Sequence, residues 1–492
     1  MTEDRLPGPD LAAPLRDALL TAGYAYDAVA ALLGERAHAA LGRNETTPGL
    51  AATTDGSPLA TLVRLFLLQA VVPADRAERA LPGLGDRLLD AGVLARDGDE
   101  VRALLDVRPY ATGDLDLLVV SDLTPGLDGG PQAVAGDHVL GISPAATSLA
   151  QLTIREPVGR ALDLGTGCGV QALHLAEHAG AVIATDVNER ALALTRFNLA
   201  LNEVAGVEAR AGSLWEPVAG EQFDLVTTNP PFVISPATGE RLVYRDSGLP
   251  GDEVVERVVR GAAAHLTSGG WAQVLANWAV LRGRPWHERL ASWVDPACDA
   301  LVVQRETLDP AAYVELWLKD AGLHGAPDYV RRYDAWLRWL DEQEVEGIGF
   351  GWINLHRTDA ATPRRELLDW PHAVEQPVAP AVAAWGAAVR APVGVDDHLV
   401  RRDDLVQETH GQPGAADPET VVLRQQRGLM RARRADTVEA ALVGACDGDL
   451  TVAQVLDALA LLLDRDAAEL RATYLPVVRE LVDEGFLLAD PR

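Results

Sequence analysis

Apolar positions recur three and four apart through Leu11–Leu20 and from Tyr26 to Leu33, a spacing that predicts amphipathic helices. Ser57-Pro58 predicts a further helix start, with the proline in the first turn and Leu59–Leu68 behind it. Arg87–Leu94 and Glu100–Leu105 read as helix, turn and short hairpin. The period then changes. Leu115–Asp122 and His138–Ser143 are strand-like, separated by Pro125-Gly and Gly129-Gly-Pro loop signals, and are expected to form a small sheet. A short helix is expected over Ser148–Thr153. Short apolar runs follow at Ala161–Leu164, Ala181–Ala184, Val207–Ala211, Phe223–Thr227, Trp271–Trp278, Ala300–Gln304 and Gly347–Leu355. Helical stretches interrupt them at Val170–Ala179, Glu253–Leu266, Ala311–Ala321 and Asp328–Gln343. Short apolar strands alternating with helices predict an α/β fold with a buried parallel sheet. Beyond Arg357 the chain turns alanine- and proline-rich, with one strand at Glu419–Arg424 and helices from Asp436 that end in Val478–Leu488.

The strand ends carry the chemistry. The first runs into Gly165-Thr166-Gly167-Cys168-Gly169, a turn that brings backbone N–H groups and a helix N-terminus close to a ligand. The second ends at Asp186, an acid twenty-odd residues after the glycines, which suits ribose hydroxyls. The third leads to Ser213-Leu214 and the fourth to Asn229-Pro230-Pro231-Phe232. In open α/β sheets ligands sit at this edge.

The order Asp-x-Gly-x-Gly-x-Gly, Asp, Asn-Pro-Pro-Phe resembles class I S-adenosylmethionine (SAM)-dependent methyltransferases, in the branch that methylates planar nitrogens. That branch includes release-factor glutamine, ribosomal-RNA guanine-N2 and DNA adenine-N6 methyltransferases. The resemblance covers Ala145 to about Arg357. It implies a Rossmann-like seven-stranded sheet and SAM as cofactor. Asp163 would organise the loop or bind the methionine amino group, and Gly165, Thr166, Gly167 and Gly169 would let the backbone approach the cofactor. Asp186 would accept the ribose hydroxyls and Val187 would pack on the adenine, with Asn229 also counted in the cofactor-binding set. Ser213-Leu214 stands where many relatives place Asp-Leu or Asp-Phe, which leaves the contact to the adenine amine in doubt. Thr147 would cover the methionine end, or serve only as a helix cap. Asn229, with Pro230, Pro231 and Phe232, would grip the acceptor amine beside the cofactor: Asn229 and the Pro230 carbonyl by hydrogen bonds, Phe232 by stacking. Arg241, Arg245 and Asp246 are candidates for a substrate loop.

At 492 residues the chain has room for about three domains. The reading is a mainly helical, winged-helix-like or simply packed domain at 1–106, a small β linker at 107–144, the methyltransferase domain at 145–365 and a winged-helix-like accessory domain at 366–492. Three scattered cysteines, the start Met1–Arg5 and the lack of a membrane-length apolar run predict free thiols, a cytoplasmic chain and no membrane partner. No spacing suggests a metal. The net charge of −29 argues against wholesale nucleic-acid binding, but Arg424, Arg427, Arg431, Arg433 and Arg434 form one dense basic run suited to phosphates. That run, and a fifth strand Leu275-Ala-Asn-Trp similar to ribosomal-RNA guanine methyltransferases, favour a nucleic-acid base, RNA before DNA, as substrate. The acidity favours the alternative, a protein glutamine. An inactive SAM-binding scaffold is the third reading.

Overall fold

The computed structural model describes residues 5–113, 115–129, 134–236, 248–413 and 418–489. One compact unit takes in Met1–Ala150 and Arg155–Trp370, and a second takes in Gln151–Ile154 and Pro371–Arg492. Arg241, Arg245 and Asp246 lie outside the described residues. Among the described residues, no helix is long and apolar enough to cross a membrane.

The first unit opens with helices α1 (Ala12–Thr21), α2 (Tyr26–Leu41), α3 (Thr47–Ala52) and α4 (Pro58–Leu62). Ser57 caps α4 by accepting the Ala60 N–H, with Pro58 in the first turn as its spacing predicts. Then come β1 (Val72–Pro73), α5 (Ala74–Ala80), α6 (Gly85–Asp90), β2 (Leu94–Asp97) and β3 (Glu100–Ala103), in a sheet of order β1-β3-β2. Helix, strand, two helices and hairpin follow in that order, with Leu62, Leu65, Phe66 and Leu88 buried among them.

Strands β4 (Leu105–Thr112) and β5 (Leu115–Asp122) pair antiparallel. The expected strand at His138–Ser143 does not form. β5 takes its neighbour in sequence, because closing a tight hairpin costs less chain entropy than pairing across a long loop. The 138–143 segment is instead tied to Asp122, whose N–H donates to the Val139 carbonyl and whose Oδ2 accepts the Val139 N–H at 2.7 Å.

The main sheet follows α7 (Pro144–Leu152). Its strands are β6 (Val158–Leu164), β7 (Ala179–Asp186), β8 (Val207–Ala211), β9 (Phe223–Thr228), β10 (Leu266–Leu281), β11 (Cys298–Leu308), β12 (Val345–Arg357) and β13 (Arg365–Asp369). They lie in the order β13-β11-β12-β10-β9-β6-β7-β8, with β12 antiparallel to both neighbours. Seven of these strands form the Rossmann-like sheet that the resemblance implies, extended at one edge by β13, which pairs parallel with β11. The helices are α8 (Val170–Leu175), α9 (Glu189–Leu201), α10 (Glu253–Ala262), α11 (Trp286–Ala291), α12 (Pro310–Asp320) and α13 (Tyr329–Glu342). Two asparagines join the hairpin to the sheet layer. Asn198 on α9 exchanges hydrogen bonds with both backbone groups of Val120 at 2.8 Å, and Asn202 does the same with Leu118. The side-chain amides act as a surrogate strand and leave the backbone of β5 satisfied where it meets a helix.

The second unit has its own core around Leu442, Leu456, Leu470, Leu481 and Phe486. It contains α14 (Ala379–Ala388), β14 (His398–Arg401), β15 (Leu405–His410), β16 (Thr420–Gln425), β17 (Ala432–Ala435), α15 (Thr437–Ala445), β18 (Asp447–Thr451), α16 (Val452–Leu462), α17 (Ala467–Asp483) and β19 (Leu487–Ala489). From α15 the order is again helix, strand, two helices, strand. Here the third strand of the β18-β14-β19 sheet comes from upstream. The arginine run is not an open basic patch. Arg424 is paired with Glu408 at 2.7 Å, Arg431 is buried, and Arg433 is gripped by Glu439, Glu480 and Glu484. Arg427 and Arg434 remain exposed.

Candidate active site

The C-terminal ends of β6, β7 and β9 open onto a cavity of about 650 Å³, a volume in the range of cofactor sites. The second half of β6 is buried and delivers the backbone into the glycine turn. Gly165, Gly167 and Gly169 have φ of 78°, 58° and 88°, a region that side chains disfavour, so the sequence needs glycine at each. Gly165 and Thr166 donate their N–H groups to the Thr185 carbonyl, which joins the turn to the end of β7.

Asp163 is buried, and its Oδ2 accepts the Thr166 hydroxyl at 2.6 Å. Burial raises its pKa to about 7, against the opposing pull of that hydrogen bond, with Asp186 nearby raising it further. Asp186 accepts the Gly167 N–H on Oδ2 and the Asn188 N–H on Oδ1, both at 2.9 Å. Burial raises its pKa too. Helix α9 is capped by Asn188, not by Asp186, so the acid is left to face the cavity. Val187 is 66% exposed beside it, a large apolar side chain suited to a planar ring. Ser213 and Leu214 line the same wall, Leu214 at a φ of 46°. Two partly desolvated carboxylates suit a ligand that carries positive charge.

Asn229, Pro230, Pro231 and Phe232 line the cavity at the end of β9. The Asn229 Oδ1 is buried with no hydrogen-bond partner among the described residues, an acceptor that awaits a donor. Phe232 meets Trp317 of α12 edge-on at 6.1 Å. Arg257 also reaches the cavity, but is tied to Glu253. Cys168 is buried in the glycine turn with its thiol pushed up to about 12 by burial, so it is not a nucleophile.

Thr147 is a correction. It does not line this cavity; one helical step turns it towards a neighbouring one, while Ala145 and Ala146 line the first. The Gly136–Gly141 segment forms a further wall that periodicity concealed. Long-range bonds hold it. Asn188 Nδ2 donates to the Asp137 carbonyl at 2.7 Å, and Asp122 holds Val139 while chelated by Arg190 Nε at 3.0 Å.

Comparison with known proteins agrees with the geometry. Residues 142–281 match the family model of the methyltransferase small domain. Either side of this stretch, residues 21–104 and 368–489 match two domains of unknown function, DUF7059 and DUF7782. A release factor glutamine methyltransferase from Xylella fastidiosa is 34% identical over 131 residues, 24% of this chain and 47% of that one. A ribosomal RNA small subunit methyltransferase C from Idiomarina loihiensis is 35% identical over 151 residues, 31% of this chain and 40% of that one. The chain spans less than half the length of either relative.

Proposed function

We propose that this domain transfers a methyl group from SAM to a planar nitrogen of a macromolecule, with Asn229 as the residue that holds the acceptor amine. The observation that carries the reading is the orphaned, buried Asn229 Oδ1, at a strand end in a cavity shared with two carboxylates. SAM, when bound, supplies a methyl group on a cationic sulfonium. Asp163 and Thr166 would hold its methionine end through the glycine turn, Asp186 its ribose hydroxyls, and Val187 and Leu214 its adenine. An amide or exocyclic amine is a weak nucleophile because its lone pair is delocalised. Asn229 Oδ1 and the Pro230 carbonyl would accept its N–H bonds, with Phe232 against its face, and so would orient the nitrogen for transfer. Positioning is most of the catalysis, since no proton need be removed before the lone pair attacks.

Two acceptors share this chemistry. The ribosomal RNA relative supports a base amine, and the glutamine methyltransferase relative supports a side-chain amide. Incubating the full chain with methyl-tritiated SAM and separated RNA, DNA and protein fractions tests the reading: label should enter a macromolecule. SAM binding with no transfer to any fraction would leave only the scaffold reading.

A further inference from the structure

A second cavity, of about 1120 Å³, adjoins the cofactor cavity. Leu140, Gly141 and Ser143 line both, so the two are separated by a single stretch of chain. Part of its lining is helix α2, from the region that matches a domain of unknown function, with Tyr26, Val29 and Leu33. Another part is the C-terminal half of α12, with Leu316 and Lys319. The same helix presents Trp317 to Phe232. The second cavity therefore adjoins the cofactor cavity along the shared segment and reaches the Asn-Pro-Pro-Phe end of it through α12.

We infer that this second cavity is the acceptor cleft, and that it takes a polypeptide segment whose side-chain amide reaches Asn229. The inference rests on the methyl-transfer reading above. The charges lining the cleft decide between polypeptide and nucleic acid. Arg108 is committed to Asp106 at 2.8 Å, and Asp122 to Arg190. The other charged residues in the lining are Arg43 and Lys319 against Glu45 and Asp320, which balance. A phosphate backbone needs an excess of cations, and this cleft has none, in a chain of net charge −29. Its walls are aliphatic and aromatic instead. Leu316 is 44% exposed there, and Tyr26 packs edge-on against His38 at 5.8 Å. Apolar walls with scattered, balanced charge suit a peptide, which has no charge on its backbone.

The test uses the full chain, methyl-tritiated SAM, and two extracts of the source cells, nuclease-treated protein and protease-treated RNA. Label is expected in the protein fraction, recovered on proteolysis as an N-methylated amide side chain. Leu316→Asp and Tyr26→Ala change residues on two different helices of the lining, and Leu316 is exposed enough for its variant to fold. Each should cut transfer to protein about tenfold or more, as at a contact central to binding, with SAM affinity within about twofold by calorimetry. Label confined to RNA overturns the polypeptide assignment. Label in protein that neither variant reduces overturns the cleft. No label in either fraction despite SAM binding removes the transfer reading itself, and this inference with it.

Discussion

The hydroxyl of Tyr313 accepts the backbone N–H of Ile234 at 2.8 Å, five residues beyond Asn229. The same hydroxyl accepts Asn277 Nδ2 at 3.0 Å, and Trp336 Nε1 donates to the Ile234 carbonyl at 2.8 Å. Helices α12 and α13 thus hold both backbone groups of Ile234, two residues past the Asn-Pro-Pro-Phe segment. Tyr313→Phe leaves a buried N–H without its acceptor, a loss of about 1–3 kcal/mol. Turnover should fall about tenfold or more through misplacement of Asn229 and Phe232, with SAM affinity held within a few fold. Steady-state kinetics beside SAM calorimetry checks this. Unchanged turnover would show that the clamp does not position the catalytic segment.

Asp186→Ala should weaken SAM binding by about 1.5–3 kcal/mol, as expected when charged hydrogen bonds to a ligand are lost. Calorimetry reads this directly. Undiminished affinity would remove the ribose assignment.

The buried Asp163 and half-buried Asp186 predict a pH dependence. Burial lifts Asp163 from 3.8 to about 7 and raises Asp186. An acid whose pKa rises on folding favours the folded state while protonated. Its contribution is complete at low pH, declines as pH climbs from the unfolded value towards 7, and is gone above it, with a slope of up to about 1.4 kcal/mol per unit for one group. A cationic ligand favours the ionised form, so SAM affinity should rise over the same window. Melting curves and calorimetry between pH 5.5 and 7.5 should show both trends, and Asp163→Asn should flatten them. A variant with the wild-type profile would assign the titration elsewhere.

Arg433 sits among Glu439, Glu480 and Glu484 with most of its side chain covered. Arg433→Ala strands these carboxylates, Glu439 the most buried of them, and should destabilise the second unit by about 1–3 kcal/mol. SAM affinity should not change. Thermal melts of the full chain test this. If instead stability is kept and RNA binding is lost, the arginine run serves phosphates after all.

Legibility in the sequence followed the range of the interactions. The glycine turn, Asp186 and Asn-Pro-Pro-Phe could be read because each is a short motif at the end of an apolar strand, and the chain brings them to one edge as the alternation predicts. Thr147 was a step off because sequence alone does not fix the rotation of a helix. The Gly136–Gly141 wall was hidden because Asp122, Asn188 and Arg190 shape it from a distance. The arginine run looked basic because its glutamates are mostly far away in sequence. The grip of Tyr313 on Ile234 joins residues 79 positions apart and leaves no local trace.

Replacing Asn229 tests the account most directly. Asn229→Ala should bind SAM within a few fold of wild type, because the glycine turn, Asp163 and Asp186 are untouched. Methyl transfer to the labelled acceptor should fall about a hundredfold or more, the size seen when a positioned hydrogen-bonding group is lost. Loss of transfer with SAM binding intact is the predicted result. Transfer at the wild-type rate by Asn229→Ala would make Asn-Pro-Pro-Phe a structural turn only and contradict the planar-nitrogen mechanism.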